Sequence, residues 1–348
     1  MFSYVKSFLF NIDPEKAHNL AIKSLKYNFL PENLFTVENE EILSINLFGK
    51  SIKNPIGLAA GFDKSAEVYN QMFKLGFGFV EVGTVTPKKQ YGNPKPRIFR
   101  LKKDFALINR LGFNNDGSEQ VKKRIENNLP KSLLGINIGP NKGTANMSED
   151  FLKCAETFFS LGDYITINIS SPNTEGLREF HKKEVLQELL TKINQIREGS
   201  NFRKAFLIKI SPDLKNDNIN EVIELILKYK IDGVILTNTT DRNRENLLSE
   251  TKNESGGLSG KPLRGLSTSL IKRFYRDLKG KVPIIGVGGV DSGKTAFEKI
   301  SAGASALQLY TGMIYKGPTI VKEIKKDLII ILKEQGFKNI KEAVGSYS

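Results

Sequence analysis

Cysteine and histidine are scarce in this chain of 348 residues, and their scarcity limits its chemistry. The single cysteine, Cys154, excludes an intramolecular disulfide, a zinc site of the Cys-x-x-Cys type and an iron–sulfur cluster held within one chain. The only histidines are His18 and His181, so a multi-histidine metal site is also excluded and we expect no metal. These features favour a reducing compartment. Cys154 lies in a helical stretch, where we expect a buried structural role.

Long hydrophobic runs are also missing. No stretch of 18 apolar residues occurs, so the sequence predicts no membrane-spanning helix. The first 18 residues have no long apolar region followed by a small-residue cleavage site. We therefore do not expect a signal peptide.

The charge is strongly unbalanced. The chain has 52 lysines and arginines against 38 acidic residues, which gives a formal net charge of +14. Such an excess favours an anionic partner: nucleic acid, lipid head groups or a small acidic substrate. The lysines are interspersed with acids, which is also typical of a solvated surface. No motif that reads nucleic acid is recognisable, so we expect no nucleic-acid partner.

The first 30 residues are predicted to form two short helices. Asp13 followed by Pro14 is typical of an N-cap and a first-turn proline, and it marks the start of the second helix. A polar stretch follows Leu30-Pro31, and we place a boundary near residues 35–42. Apolar residues recur at three-to-four spacing in both helices: Met1, Val5, Phe8, Leu9 and Ile12, then Ala17, Leu20, Ala21 and Leu25.

The rest of the chain predicts a (β/α)8 barrel. Apolar and polar residues alternate over residues 42–54, with a turn signal at 48–50, and this pattern indicates a small hairpin. Segments with helical periodicity separate most of the apolar runs that follow, and this alternation is typical of a parallel sheet. The long gap between the second and third runs is expected to hold inserted strands. The eight runs span residues 56–60, 79–84, 133–138, 164–169, 206–210, 233–237, 283–287 and 305–309. We expect a helical subdomain at 1–40, a catalytic barrel at 41–338 and a tail at 339–348.

Polar residues and glycines follow every run. In a barrel these strand ends meet on one face, where such enzymes keep their active sites. Amides, hydroxyls and lysines gathered there suit a planar, anionic ligand that forms hydrogen bonds. Glycines after the last two runs also predict a phosphate-bearing cofactor, since barrels commonly bind phosphate there. The segments are AAGFDK (59–64), EVGTVTP (81–87), GINIGPN (135–141), INISSPNT (167–174), IKISPD (208–213), LTNTT (236–240), GVGG (286–289) and QLYTG (308–312).

Residues 288–295 match the P-loop pattern G-x-x-x-x-G-K-[ST] and raise the alternative of a nucleotide triphosphatase. Little chain follows for a nucleotide-binding sheet, and no later apolar strand ends in the acidic residue that helps to hold magnesium. The dinucleotide pattern G-x-G-x-x-G is absent, because Asp291 occupies its last position. We therefore favour the barrel interpretation, in which these residues already have a place.

Together the segments resemble the dihydroorotate dehydrogenase family, and more narrowly its class 2, quinone-reducing, membrane-associated form. The resemblance runs from about residue 1 to 330 in consistent order. Besides the strand ends, it is carried by GFGFVEVGTVTP (76–87), NRLGFNN (109–115), DGVILTNTT (232–240), GGLSGKPL (256–263) and GASALQLYTG (303–312).

The resemblance implies oxidation of dihydroorotate to orotate by a barrel that holds FMN, in pyrimidine biosynthesis. Ser171 would be the base that removes the C5 proton. The residues implied for FMN are Ala60, Gly61, Phe62, Asp63, Lys64, Thr84, Asn137, Asn168, Lys209, Thr237, Gly260, Gly289, Tyr310 and Thr311. The residues implied for the substrate are Lys64, Asn109, Arg110, Leu111, Gly112, Phe113, Asn168, Asn173, Asn238 and Thr239.

The class follows from the base and from the N-terminal helices. Class 1 enzymes of the family use cysteine where this chain has Ser171, and they lack such helices. The chain departs from the family at Phe62, where leucine is common, and at Lys294, and neither change affects the chemistry. The resemblance implies that a quinone tunnel is lined by His18 and Arg100. A lone histidine is more often a surface residue, and this is the alternative for His18.

The partners implied are dihydroorotate, a membrane quinone and an anionic membrane surface, at the cytoplasmic face of the cell membrane. The alternative for the two helices is that they only cap the barrel. We expect no obligate protein partner. The polar loop 174–183, which follows Ser171, is expected to act as a lid that excludes water.

Overall fold

A computed structural model describes residues 2–27, 35–38, 40–200 and 204–348, with only the backbone described for residues 2–5. The strands are β1 Ile45–Leu47, β2 Lys50–Ile52, β3 Ile56–Leu58, β4 Phe79–Val85, β5 Ile98–Leu101, β6 Ala106–Asn109, β7 Leu133–Ile138, β8 Tyr164–Asn168, β9 Ala205–Ile210, β10 Gly233–Leu236, β11 Gly257–Gly260, β12 Ile284–Val287 and β13 Ala306–Leu309. The helices are α1 Phe2–Asn11, α2 Pro14–Lys26, α3 Tyr69–Lys74, α4 Ser118–Asn127, α5 Met147–Phe158, α6 Lys183–Glu198, α7 Asn216–Lys228, α8 Arg264–Asp277, α9 Gly293–Ser301, α10 Thr311–Lys316 and α11 Ile320–Glu334.

Eight parallel strands close into a barrel in the order β10-β12-β13-β3-β4-β7-β8-β9. They coincide with the eight apolar runs, so the predicted barrel is confirmed. Two glycines make room for rings inside the strands. A Cβ built on Gly57 would lie 2.4 Å from the Phe79 ring, and one on Gly135 would lie 2.1 Å from the Tyr164 ring. Large side chains can therefore fill the interior where a neighbouring strand carries none.

The helices cover the barrel with their apolar faces. On α7, Val222, Leu225 and Ile226 are fully buried at the spacing of one helix face. Cys154 on α5 is also fully buried, which confirms its predicted structural position, and burial raises the pKa of its thiol. Within the described part of the chain, no helix is both long and apolar enough to cross a bilayer.

Three antiparallel strands form a separate sheet in the order β11-β6-β5. The insertion after the second barrel strand holds β5 and β6, as the sequence predicted. The third strand, β11, comes from the segment between β10 and β12 and pairs with β6 from Gly257–Asn109 to Gly260–Ala106. This pairing was not predicted, because it joins segments about 150 residues apart. The hairpin β1–β2 is confirmed, and its turn residues Phe48 and Gly49 both have positive φ, as a two-residue hairpin turn requires.

The two N-terminal helices are also confirmed. The Asp13 carboxylate accepts a hydrogen bond from the Lys16 backbone N–H at 2.9 Å and caps α2, and Pro14 is its first residue. The predicted apolar face of α2 is partly wrong: Leu20 is 47% exposed, whereas Ile22 and Leu25 pack on the core. Ala17, which belongs to the predicted face, is buried as expected, and Glu15 is buried as well. Met1, the side chain of Val5 and Leu30-Pro31 lie outside what is described.

Candidate active site

One cavity opens at the carboxyl ends of the barrel strands and is closed on one side by the outer sheet. Together with the solvent space at its open mouth, the cavity encloses about 1120 Å³. Its walls include both lysines and most amides of the predicted site. The predicted residues that line it are Ala60, Gly61, Lys64, Thr84, Asn109, Leu111, Gly112, Phe113, Asn168, Ser171, Asn173, Lys209, Thr237, Asn238, Thr239, Gly260, Gly289, Tyr310 and Thr311.

Four predicted residues lie beside the cavity rather than on its wall. Asn137 is fully buried and reaches the wall through Thr84 and Asn168. The Asp63 carboxylate accepts hydrogen bonds from the Glu67 and Val68 backbone at 2.7 Å and orders the chain before α3. Burial raises the pKa of Asp63.

The other two are Arg110 and Phe62. Arg110 turns away from the cavity, pairs with Glu254 at 2.7 Å and stacks over the Phe99 ring at 4.6 Å. Phe62 is 6% exposed and lies between the His18 ring at 5.2 Å and the Tyr310 ring at 5.9 Å. It therefore joins the cavity to α2.

Ser171 lies three residues beyond the end of β8 and is 5% exposed. Its hydroxyl oxygen accepts a hydrogen bond from the Asn173 backbone N–H at 3.2 Å. The Asn173 side chain in turn lies 3.4 Å from the Asn109 oxygen. No carboxylate or imidazole is among the described residues that line the cavity, so the hydroxyl has no conventional base beside it.

Amide side chains form a connected network under the cavity. The Asn168 amide donates to the Asn137 oxygen at 3.1 Å and to the Thr84 hydroxyl at 2.9 Å. Its oxygen accepts from the Ser170 hydroxyl at 2.8 Å. The Asn238 amide donates to that same Ser170 hydroxyl at 2.8 Å. Amides from three different strands are thereby held in one arrangement.

Glu81 is a functional candidate that the sequence interpretation missed. It is fully buried inside the barrel, and its carboxylate accepts four hydrogen bonds. The donors are the Asn137 amide at 2.8 Å, the Tyr164 hydroxyl at 3.0 Å, the Thr166 hydroxyl at 3.2 Å and the Gln308 amide at 3.0 Å. A carboxylate in the middle of an apolar run was the available signal, since buried acids need such partners.

Two lysines bring positive charge to the cavity. The Lys64 ammonium donates to the Gly61 carbonyl at 2.7 Å, and burial lowers its pKa to about 8. The Lys209 side chain is 5% exposed, and its ammonium has no hydrogen-bond or ion-pair partner among the described residues. Burial lowers the pKa of Lys209, and the charge of Glu81 opposes that shift. A buried ammonium that faces a cavity without a partner indicates a ligand with acceptor atoms.

Glycines form the other end of the cavity. Gly288 and Gly289 have φ values of 114° and 73°, which side chains rarely adopt. A Cβ on Gly260 would lie 2.4 Å from the Phe105 carbonyl, and one on Gly312 would lie 2.5 Å from the Val290 carbonyl. Close packing of the chain therefore requires glycine at these positions, and bare backbone lines this end of the cavity, as is typical of phosphate sites. The wall also includes residues of the predicted strand-end segments that were not assigned singly, namely Ala59, Val287, Gly288, Leu309 and Gly312. Five further lining residues lie outside those segments: Ile98, Leu107, Ser259, Leu263 and Val290.

The P-loop match at 288–295 has a different structural use. The Ser292 and Thr295 side chains form a capping box at the start of α9, and the Thr295 hydroxyl also accepts from the Asp291 backbone N–H at 2.9 Å. The Lys294 side chain is exposed. The hydroxyl and the ammonium that a nucleotide triphosphate would need are thus placed elsewhere.

The two predicted quinone residues both lie between the N-terminal helices and the barrel. His18 is half-buried against Phe62, and burial together with Lys64 lowers its pKa to about 3, so the imidazole is neutral. Arg100 donates to the Ile12 carbonyl at 2.8 Å, and its guanidinium lies 4.9 Å from the Phe10 ring centre. His18 belongs to α2 and Arg100 contacts Phe10 of α1, so both adjoin the helices that the sequence associated with quinone access.

The closed barrel, with a cavity lined by two lysines at the carboxyl ends of its strands, defines a (β/α)8 barrel enzyme. The sequence model of the family described as dihydroorotate dehydrogenase matches residues 42–332. The chain therefore belongs to the dihydroorotate dehydrogenase family.

Similar proteins cover nearly the whole chain. The mitochondrial dihydroorotate dehydrogenase (quinone) of Mus musculus is 43% identical over 96% of this chain and 87% of its own length. The dihydroorotate dehydrogenase (quinone) of Christiangramia forsetii is 47% identical over 94% of this chain and 98% of its own length. The crystal structure of ligand-free type DHODH from Eimeria tenella superposes with a TM-score of 0.91 at 40% identity, covering 96% of this chain and 99% of that one.

Proposed function

We propose that this chain oxidises dihydroorotate to orotate in pyrimidine biosynthesis and passes the electrons through FMN to a membrane quinone. The observation that carries the proposal is that Lys64, Ser171 and Asn238, which follow three different strands, line one cavity. The names of the similar proteins, which include quinone as the acceptor, support the same reaction.

The residues of the cavity fit FMN. Lys209 supplies an unpaired ammonium for the acceptor atoms of the flavin ring, and the Thr239 hydroxyl is likewise buried without a partner in the described chain. The glycine backbone at residues 288, 289 and 312, with Tyr310 and Thr311 beside it, suits the phosphate. When bound, FMN would accept the hydride from C6 of dihydroorotate and deliver two electrons to the quinone.

Ser171 is proposed to remove the proton from C5 while the hydride leaves C6, so that a C5–C6 double bond forms. A serine hydroxyl is a weak base in water, and its burial supplies the water-poor setting that the step needs. Its own proton must move on to solvent. The loop 174–183 is proposed to act as the lid over this step, and Arg178 ties that loop to Asp213 at 2.9 Å.

Lys64 is proposed to pair with the substrate carboxylate, and the amides of Asn109, Asn173 and Asn238 to bind the ring. An amide offers both a donor and an acceptor, as the ring's N–H and C=O groups require. The Lys209 ammonium would stabilise negative charge on the reduced cofactor.

The N-terminal helices are proposed to form the quinone entrance, with His18 and Arg100 along it. Phe8 is 63% exposed and Leu20 is 47% exposed on these helices, which suits peripheral contact with a membrane. The net charge of +14 would add attraction to anionic lipid. We place this contact at the cytoplasmic face of the cell membrane.

Replacing the base tests the proposed roles. Ser171→Ala should lower turnover by about 10²- to 10⁴-fold near neutral pH, because it removes the proton acceptor. The variant should keep its bound FMN, measured by the visible absorbance of the purified protein. Ser170→Ala, at the neighbouring serine whose hydroxyl accepts from Asn238, serves as a matched control and should lose less activity. Full turnover in Ser171→Ala would remove Ser171 from its role.

A further inference from the structure

Lys299 is a fully buried lysine on α9, outside the cavity wall. Its ammonium donates to the Ser267 hydroxyl at 3.0 Å, the Thr268 hydroxyl at 3.1 Å and the Arg264 carbonyl at 3.4 Å. All three acceptors belong to the beginning of α8. Lys299 therefore brings positive charge to a helix N-terminus, where the helix dipole is already positive.

The beginning of α8 packs directly against the glycine turn at residues 288–289. The Ser267 hydroxyl donates to the Val287 carbonyl, which precedes the turn, at 2.5 Å. A Cβ built on Gly289 would lie 2.6 Å from the Arg264 Cβ, and one on Gly288 would lie 3.1 Å from the Ser267 Cβ. A single side chain, that of Ser267, thus connects the Lys299 ammonium to the backbone of the turn.

The Lys299 ammonium has no carboxylate partner within salt-bridge distance among the described residues. The charged groups that act on it are Glu298 on its own helix and Arg264 on α8, and these two pair with each other at 3.5 Å. Burial lowers the pKa of Lys299 to about 7, Glu298 opposes that shift and Arg264 adds to it. Burying a charge without a counter-ion costs free energy, and a bound anion nearby reduces that cost.

We propose that Lys299 is a positioning residue for the phosphate of the cofactor, which holds the 288–289 turn through Ser267 and raises the positive potential at that turn. The inference rests on the proposed function, because it takes the anion at the turn to be the phosphate of FMN. Lys299 makes no contact with the cavity itself, so it acts only through the turn and through its charge.

The proposal predicts that phosphate binding is linked to protonation of Lys299. A bound phosphate raises the pKa of the ammonium, so the ammonium is retained in the complex at a pH where the free protein has lost it. The affinity for FMN therefore falls as the pH rises above about 7. The affinity for riboflavin does not show this fall, because riboflavin lacks the phosphate.

The test is a titration of the flavin-free full chain with FMN and with riboflavin, followed by flavin fluorescence from about pH 7 to about pH 9, where the phosphate is almost fully ionised. The ratio of the two dissociation constants isolates the phosphate contribution. Lys299→Met removes the ammonium, and Lys299→Arg makes the charge permanent. Lys294→Met removes an exposed charge from the same helix and is the matched control. Lys64 and Lys209 are present throughout, so their titration is common to all variants.

We expect the preference for FMN over riboflavin to fall with pH in the wild type and in Lys294→Met, by up to about tenfold for each unit of pKa change. Lys299→Met should show a weaker preference for FMN over riboflavin, and this preference should not vary with pH. Lys299→Arg should also show a preference for FMN that is constant with pH, because its charge is permanent. If Lys299→Met keeps the pH-dependent fall of the wild type, the inference is wrong and the proposed function stands. A wild type that binds neither flavin would overturn both.

Discussion

At the scale of single residues, a buried acid fixes the direction of the amides under the cavity. A carboxylate only accepts hydrogen bonds, so Asn137 must turn its NH₂ group to Glu81 and its oxygen to Asn168. Asn168 must then turn its own oxygen to Ser170 and Asn238, which lie 2.8 Å and 3.4 Å away. The direction in which these amides present their donors and acceptors is therefore set by Glu81 inside the barrel and does not depend on a ligand.

The alkaline pH dependence should report Lys64. Burial lowers its pKa to about 8, so the ammonium that is proposed to hold the substrate carboxylate is lost above that pH. We expect kcat/KM for dihydroorotate to fall about tenfold per pH unit on the alkaline side. Lys64→Arg keeps the charge and should remove this fall, although its absolute activity is lower. An unchanged alkaline fall in Lys64→Arg would assign the titration to another group.

The sequence predicted which segments meet at the cavity better than it predicted the direction of each side chain. Asn109 and Arg110 are adjacent in one motif, yet Asn109 lines the cavity and Arg110 pairs with Glu254 outside it. Neighbouring residues in extended chain point to opposite sides, so a motif taken as a block overstates its contacts. Glu81 was missed because its four partners come from three other strands and are visible only in the closed barrel.

At the scale of elements, one buried ion pair joins α2 to the outer part of the barrel. The Glu15 carboxylate accepts two hydrogen bonds from Arg97, at 2.6 Å and 3.0 Å. Burial alone would raise the pKa of Glu15, but Arg97 and Lys95 outweigh it and hold that pKa below its usual value. Arg97 also donates to the Tyr91 and Asn93 carbonyls, so it supports the loop that faces α2.

Removing this ion pair should loosen the helices. Glu15→Ala leaves Arg97, 6% exposed, without its charge partner and should cost roughly 3 kcal/mol of unfolding free energy. Lys95 lies 3.4 Å from Glu15 but is 65% exposed, so Lys95→Ala should cost less than about 1 kcal/mol. Thermal unfolding and the rate of proteolysis at Lys23 and Lys26 measure the difference. Equal effects of the two variants would contradict this account of α2.

The elements that the sequence predicted are those with local signals. Each of these signals lies within about ten residues: an apolar run that predicts a strand, an N-cap followed by a first-turn proline, and a hairpin turn. The strand β11 was not predicted because its partner β6 is distant in the chain, and the buried side of α2 was misplaced at Leu20 because the barrel decides which face is covered. In both cases the outcome depends on tertiary contacts, which a local sequence pattern does not contain.

At the scale of the whole molecule, closure of the barrel brings residues between positions 59 and 312 to one rim. The lysines, amides and hydroxyl groups of the proposed site are far apart in the sequence, and each is placed by the end of its own strand. The outer sheet and α2 then cover this rim from two sides. The proposed reaction site at the rim and the proposed quinone entrance along the helices are thereby neighbours in one fold.

Anaerobic mixing of the flavin-loaded protein with dihydroorotate tests the central claim most directly. We predict that dihydroorotate bleaches the visible absorbance of the flavin, and that a quinone restores it whereas fumarate and NAD do not. The order of addition separates the two half-reactions. Bleaching reports reduction of the flavin by dihydroorotate in the cavity, and recovery reports its reoxidation by the quinone at the proposed entrance. A bound flavin whose absorbance dihydroorotate leaves unchanged would contradict the account.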